Sequence, residues 1–399
     1  MVPVSKKNRI EILDVIRGFA IFGILIANIQ SWSGYKFIPF ELMQTLPYYD
    51  YNQTLHYLFM FFVDTKFYTL FSLLFGIGFY IQFDKQRDNQ EKFISMYKKR
   101  LGFLIMFGAI HSFFWSGDIL LIYGSIGLLF IAFRNLQKAT ILKLSIFFYF
   151  SWLLYDVVFA LFFPEFMNYP STSYKTYPDI APLELTSIFQ TGNFFEVLNA
   201  NWHNLYYRYL DLVPSGRLTK ILALFLLGFY LMSIDYFNTY ARSLKLFFTY
   251  FISGTIITYI SYEIGGSMAK YSHDLSNVAY KGLAASGQIL LALSYIHILA
   301  ILDTKRLFQK FFHLFAYVGR MSFTSYLSHT FFGYIIFYPF FGDLFGTMGI
   351  AQITFLAFFL YIFQAVVSFV WLKFFAFGPL EWIWRCLTYS KIFPILRKK

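Results

Sequence analysis

Charge is scarce in this chain. Only 14% of its 399 residues are Asp, Glu, Lys or Arg, where a soluble globule carries about a quarter, so a large water-soluble enzyme is excluded. Cysteine is scarcer still. Cys386 stands alone, which excludes an internal disulfide, and no paired Cys/His spacing of the kind zinc sites use is present. No metal is expected. Acidic residues are outnumbered, 21 against 33 basic, but in a chain of this kind loop charge is first a topology signal, and no nucleic-acid partner is expected. What the chain does have is apolar surface. Hydrophobic residues make up 58% and aromatic residues 24% of it, and the mean hydropathy is positive, which defines an all-α polytopic membrane protein in contact with lipid.

Crossing a bilayer takes about twenty mostly apolar residues, and that length marks about ten spans: 12–32, 56–81, 101–115, 118–134, 144–163, 218–234, 246–262, 282–302, 314–339 and 350–372. The basic N-terminus is followed by no small-residue cleavage site, so the first span is read as uncleaved. Of the 33 Lys and Arg, 23 then fall on one side and seven on the other, with Arg17, Lys66 and Arg320 inside or at the ends of spans. The positive-inside rule puts both termini in the cytoplasm. The expected organisation is a single membrane domain over 1–399, with an extracytoplasmic insertion at 164–217 and a cytoplasmic interfacial tail at 373–399. The insertion opens with Pro164, Pro170, Pro178 and Pro182, which break helices, and its second half, Phe189 to Tyr209, reads as an amphipathic helix on the outer surface or over a cavity.

Charges inside such spans carry the functional signal, because lipid supplies no hydrogen-bond partners. Asp14 and Arg17 are three apart on one helical face and able to pair; the pair either locks the fold or presents Arg17 to an anionic group. Lys66 must pair, snorkel or line water, with Asp64 its nearest candidate partner. His111 and Asp118 lie seven residues apart across the Ser116-Gly117 turn, so their side chains are able to meet at the mouth of a hairpin, as a structural clasp or as the start of a site. His56 stands at the entrance of the second span on the same side as His111. Glu381 and Arg385 are four apart in the tail and able to pair on one face.

Four segments together resemble the YeiB family of bacterial membrane proteins, which carry a domain of unknown function. They are the opening Leu13-Asp14-Val15-Ile16-Arg17-Gly18, the block from Lys66 to Gly78, the hairpin from Gly108 and His111 through Gly117-Asp118, and the closing Gly378-Pro379-Leu380-Glu381-Trp382-Ile383-Trp384-Arg385. The resemblance implies a bacterial cell membrane location. In layout the family is similar to a wider group of transmembrane acyltransferases that includes heparan-alpha-glucosaminide N-acetyltransferase, with the Leu-Asp-x-x-Arg-Gly opening the clearest shared element. That similarity implies transfer of an acyl group from cytosolic acyl-CoA to a sugar across the membrane. In the heparan branch a histidine ahead of the second span is catalytic, and His56 occupies a comparable place; His111 belongs to the YeiB-type hairpin.

Two functions fit these residues. In an acyltransferase, His111 oriented by Asp118 is the general base toward an extracytoplasmic or membrane acceptor, with His56 the alternative. Arg17 with Asp14, Lys66, and the cluster Lys98-Lys99-Arg100 are then the candidate anchors for acetyl-CoA or a similar donor, and a narrow tunnel joining the two faces is expected. In a transporter or permease the same charges form an ion or proton relay. The clustering of polar residues at the two ends, rather than at broken mid-membrane helices, leans toward the enzyme.

Overall fold

In a computed structural model of the chain, residues 11–38, 40–162, 182–212, 215–265, 275 and 278–397 are described. Pro164, Pro170 and Pro178 lie outside them, as do the N-terminal basic residues. Apart from turns and connecting segments, the described residues are helical, with one isolated bridge, Phe375 with Leu396. Five helical segments among them are long and apolar enough to cross a membrane: Glu11–Trp32, Tyr49–Asp84, Leu244–Gly265, Val278–Asp303 and Ile350–Phe374.

The first helix, α1 (Glu11–Trp32), is the hub. It is buried on nearly every side, through Leu13, Ile16, Ile21, Leu25 and Ile29, because it packs on five other helices. Its closest neighbour is a later helix, Arg306–Arg320, and two glycines make that crossing possible. A Cβ on Gly18 would lie 1.9 Å from the Phe315 carbonyl oxygen, and one on Gly319 would lie 1.9 Å from the Asp14 carbonyl oxygen. The two backbones touch, as small-residue crossings allow.

The second expected span is not one helix. It divides into α2 (Tyr49–Phe62) and α3 (Lys66–Asp84), with Thr65 at the break in the left-handed region at φ 70°. A β-branched residue there is strained by about 1–3 kcal/mol, so the surroundings must hold it. They do so by satisfying the carbonyls that the break frees. Lys66 Nζ donates to the Met60 carbonyl at 2.8 Å and Tyr295 Oη to that of Phe62 at 2.7 Å, while Gln288 Nε2 adds a donor at 3.0 Å to the Thr65 carbonyl, which also accepts from Thr69.

The hairpin follows as α4 (Gln90–Phe114) and α5 (Leu120–Phe130). Helix α4 begins well before the expected 101, because the polar residues from Gln90 to Arg100 extend the same helix past its apolar part. The next span is broken too, into α6 (Lys138–Phe150) and α7 (Leu153–Phe162), around Ser151-Trp152. The described part of the insertion forms α8 (Pro182–Thr191) and α9 (Phe194–Asp211). Pro182 therefore opens a helix rather than breaking one, as proline does at a first turn. Asn193 and Glu196 form a reciprocal capping box that starts α9.

Helices α10 (Arg217–Ser233), α11 (Leu244–Gly265) and α12 (Val278–Asp303) match single expected spans. The ninth expected span divides at Met321 into α13 (Arg306–Arg320) and α14 (Ser322–Phe337). Helix α15 (Ile350–Phe374) precedes the tail helix α16 (Pro379–Tyr389). Helix α10 is buried against α3, while α11 and α15 turn exposed apolar stripes outward. On α15 the stripe includes Phe355, Phe359, Ile362, Val366 and Val370. Contiguous apolar surface of that extent is stable only against lipid or a partner.

Candidate functional site

The turn of the α4–α5 hairpin holds a chain of three polar side chains. His111 lies in the last turn of α4 and Asp118 just ahead of α5, and the turn Trp115–Ile119 brings them face to face. His111 Nδ1 is 2.7 Å from Asp118 Oδ1, and His111 Nε2 is 2.8 Å from Thr330 Oγ1 on α14. The second carboxylate oxygen, Asp118 Oδ2, accepts the Leu121 backbone N–H at 2.9 Å, so the residue that orients the imidazole also satisfies the start of α5. With Asp118 ionised, His111 carries its proton on Nδ1, and the Nε2 lone pair accepts from the Thr330 hydroxyl. All three side chains are buried.

Aromatic rings enclose this chain. Trp115 and Tyr326 stand edge-on to the His111 ring at 5.9 and 5.5 Å, and Trp32 from α1 packs on Trp115 at 4.7 Å. Tyr326 Oη accepts the Ile119 N–H at 3.2 Å, which ties the turn to α14. Helix α9 closes over the same end. Asn201 Nδ2 donates to the Phe114 carbonyl at 3.1 Å and to Tyr334 Oη at 3.0 Å, and Trp202 stacks on Phe113. The amphipathic helix expected in the insertion therefore covers the hairpin mouth.

Around His329, the residue immediately before Thr330, a second network forms. Gln364 Nε2 donates to Ser325 O and Ser328 Oγ at 3.1 and 2.8 Å, so its Oε1 is left to accept from His329 Nε2 at 3.0 Å. His329 Nδ1 is then a buried acceptor without a hydrogen-bond partner among the described residues. The indole N–H of Trp32, whose ring is 6.2 Å from that of His329, is a buried donor in the same condition.

The other expected site residues are dispersed. His56 sits half-buried on α2, beside Tyr57; α2 packs on α15 and α11, whereas the groups around His111 come from α1, α5 and α14. Arg17 and Asp14 do pair, at 2.9 Å, with Asp14 buried. Lys66 is buried at the α2–α3 break, bonded to Met60 rather than standing in mid-helix. The cluster at the foot of α4 is divided. Lys99 Nζ donates to Ser390 Oγ, and Arg100 lies over the Trp384 ring at 4.2 Å while its carbonyl accepts the Trp384 indole N–H at 2.9 Å. Both residues hold the tail helix. Lys98 alone of the three lines a cavity. Two cavities are prominent, and neither is lined by His111, Asp118 or Thr330.

The expected Glu381–Arg385 face is used differently. Glu381 Oε1 accepts the Phe323 and Thr324 N–H groups at 2.7 and 3.1 Å, and Oε2 accepts the Thr324 hydroxyl at 2.6 Å. It caps the N-terminus of α14 from another helix, while Arg385 lies over Phe377 at 4.3 Å. Gly378 permits this, because a Cβ there would lie 2.1 Å from Glu381 Oε2.

Two arrangements escaped the sequence. Thr330 is one of several hydroxyl residues beside His329 in the sequence, and only the contact of α4 with α14 singles it out. Asp156 and Lys281 form a buried ion pair at 2.5 Å, with side-chain exposures of 0% and 2%. Beside it Lys220 lies 3.6 Å from the centre of the Trp152 ring. Asp156 is 125 residues from Lys281, so no local spacing announces the pair.

The architecture and buried polar chain define a helical protein with membrane-spanning capacity, and comparison with known proteins gives its relatives. Residues 220–391 match the family model described as "Protein of unknown function (DUF418)", and the chain is YeiB-like. It is 27% identical to the uncharacterized protein YeiB of Escherichia coli (strain K12), covering 97% of this chain and 98% of that one. It is 27% identical to the uncharacterized protein YxaH of Bacillus subtilis (strain 168), over 99% and 98% of the two chains. It is also 28% identical to an uncharacterized 39.9 kDa protein in the amylase 3' region of Bacillus acidopullulyticus, over 100% and 99%. No solved structure matches.

Proposed function

We propose that the protein is a multi-pass acyltransferase of the bacterial cell membrane. It has about ten spans, both termini in the cytoplasm, and the 164–217 insertion outside. It moves an acyl group from cytosolic acyl-CoA, acetyl-CoA in the simplest case, to a hydroxyl-bearing or amine acceptor at the outer end of the hairpin. The observation that carries this reading is the chain Thr330–His111–Asp118, in which a carboxylate fixes the imidazole tautomer and the free ring nitrogen faces a hydroxyl. That is the arrangement acyl transfer requires of a base and its orienting group.

In the step proposed, the acceptor hydroxyl takes the place of Thr330 on His111 Nε2. The imidazole removes its proton as the acceptor oxygen bonds to the thioester carbonyl carbon. The C–S bond then breaks, and the imidazolium returns the proton to the leaving thiolate. Asp118 stabilises the transient imidazolium. His329 Nδ1 and the Trp32 indole N–H, an acceptor and a donor beside the chain, have the character needed to bind further hydroxyls of such an acceptor. Purified protein in nanodiscs, given radiolabelled acetyl-CoA and membrane extract, tests the reading. Label transferred by wild type and lost in His111→Ala supports it; no transfer to any fraction overturns it.

A second reading, a transporter, draws on the breaks at Thr65, Ser151-Trp152 and Met321 and on the buried Asp156–Lys281 pair. Broken helices with internal charges are the usual furniture of transport paths, and they remove the reason for preferring an enzyme on the placement of polar residues alone. Substrate uptake into vesicles without acyl transfer would favour it.

A further inference from the structure

At the open end of the α4–α5 hairpin, opposite the His111 turn, a cleft of about 480 Å³ is lined by Gln90, Glu91, Ile94, Ser95, Lys98 and Arg134. Its charge is unbalanced: two cations face one carboxylate. The guanidinium is held in place, since one terminal nitrogen of Arg134 donates to the Ile131 carbonyl at 3.0 Å. Its Nε–H, by contrast, is buried without a hydrogen-bond partner among the described residues. Gln90 and Glu91 are the first two residues of α4, a 25-residue helix that runs on from a 3-10 turn over Arg87–Asn89 and has no side-chain cap, so the positive end of its dipole lies at the same cleft.

We propose that this cleft binds a phosphate-bearing ligand, with the phosphate between Lys98 Nζ and the Arg134 guanidinium. A fixed guanidinium with an unused N–H, a lysine and a helix N-terminus make the donor set that phosphate oxygens take. A metal cation is disfavoured by the excess positive charge. The volume falls in the range of small-molecule sites, about 300–1,000 Å³, so it accommodates the phosphate together with the group that carries it.

Lys98 and His111 are on one continuous helix, thirteen residues apart, a rise of about 20 Å. A ligand held by its phosphate at the cleft has its far end directed along the hairpin. Two sources supply that chemistry, the nucleotide end of coenzyme A and the headgroup of an anionic lipid. The first rests on the acyltransferase reading; the site itself does not.

The test uses the full chain in phosphatidylcholine nanodiscs and measures coenzyme A binding by calorimetry. A parallel set of nanodiscs contains phosphatidylglycerol, whose retention is measured by native mass spectrometry. Lys98→Gln and Arg134→Gln are each expected to weaken one of these ligands at least tenfold, and Lys143→Gln, at an exposed lysine of α6 that does not line the cleft, to leave both unchanged. Arg134→Lys, which keeps the charge and loses the planar fork, is expected to fall between. Thermal melts confirm that each variant is folded. Selective loss of coenzyme A binding identifies a donor site; selective loss of phosphatidylglycerol identifies a lipid site. If both ligands bind folded Lys98→Gln and Arg134→Gln as they bind wild type, the proposal is overturned. The two proposals fail separately. Coenzyme A binding that depends on Lys98 without any acyl transfer sinks only the enzyme reading, and transfer with unaltered KM in Arg134→Gln sinks only this donor site.

Discussion

Thr330 and His111 are 219 residues apart in the chain and 2.8 Å apart in space. The contact joins the hairpin to α14 and puts a hydroxyl on the one imidazole nitrogen that Asp118 leaves free. If an incoming acceptor replaces that hydroxyl, Thr330 is a placeholder and not a nucleophile. Thr330→Val, close to isosteric, is then expected to retain acyl transfer within about tenfold, whereas His111→Ala loses about 10²–10⁴-fold. Single-turnover reactions analysed by peptide mass spectrometry are expected to show no acyl group on Thr330. An acylated Thr330 that turns over would replace direct transfer by a covalent route.

Asp118 serves both the imidazole and the start of α5, and one substitution separates the roles. Asp118→Asn keeps an oxygen for the Leu121 N–H but turns an amide toward His111 Nδ1, which favours the wrong tautomer. Transfer is expected to fall by about 10²–10⁴-fold with little change in melting temperature. Asp118→Ala is expected to lower both, since the α5 cap is lost at about 0.5–2 kcal/mol. Equal melting losses in the two variants with no difference in rate would mark the pair as a clasp.

Much of this was legible in residue order because it is local. Asp14 and Arg17 share a helix face, and His111 and Asp118 flank one turn, so spacing alone brings each pair together. The helix breaks were not legible. Phe62 through Lys66 lie within a stretch whose average hydropathy reads as one span, and besides Lys66 the groups that support the interruption are Gln288 and Tyr295, more than 200 residues away. The role of Glu381 was hidden for the same reason: spacing offers Arg385 four residues on, whereas the Phe323 and Thr324 N–H groups that its carboxylate accepts lie more than 50 residues back in the chain. Thr330 and the Asp156–Lys281 pair depend wholly on which helices cross.

Glu381 gives a pH dependence outside the membrane-spanning segments. Burial pushes its carboxyl above the usual glutamate range, and the hydrogen bonds from Thr324 and Phe323 offset this only in part. The folded state therefore holds the proton to higher pH than the unfolded chain does. Its contribution to stability is fully present below the unfolded pKa and declines as pH rises through the interval up to the folded value. Glu381→Gln, which cannot ionise, is expected to flatten the melting temperature over that interval relative to wild type. A melting curve whose pH slope is unchanged by the substitution would assign the dependence to other groups.

The Asp156–Lys281 pair decides between a structural and a conducting role for buried charge. Removing one partner leaves an uncompensated ion where solvation is poor, so Asp156→Asn or Lys281→Met is expected to cost about 3–5 kcal/mol, while replacing both by apolar residues is often neutral or stabilising by about 1–4 kcal/mol. Trp152 adds to the surroundings of Lys281, its ring centre lying 5.6 Å from that ammonium and 3.6 Å from that of Lys220. The double variant Asp156→Leu, Lys281→Met is accordingly expected to fold and melt near wild type in detergent, and to retain acyl transfer if the pair only joins α7 to α12. Vesicle measurements of proton flux and substrate uptake on the same double variant complete the test. A variant that folds normally, keeps transfer and shows no altered flux makes the pair structural; one that folds normally and loses proton-coupled uptake makes it the relay of a transporter, and the enzyme reading then has to yield.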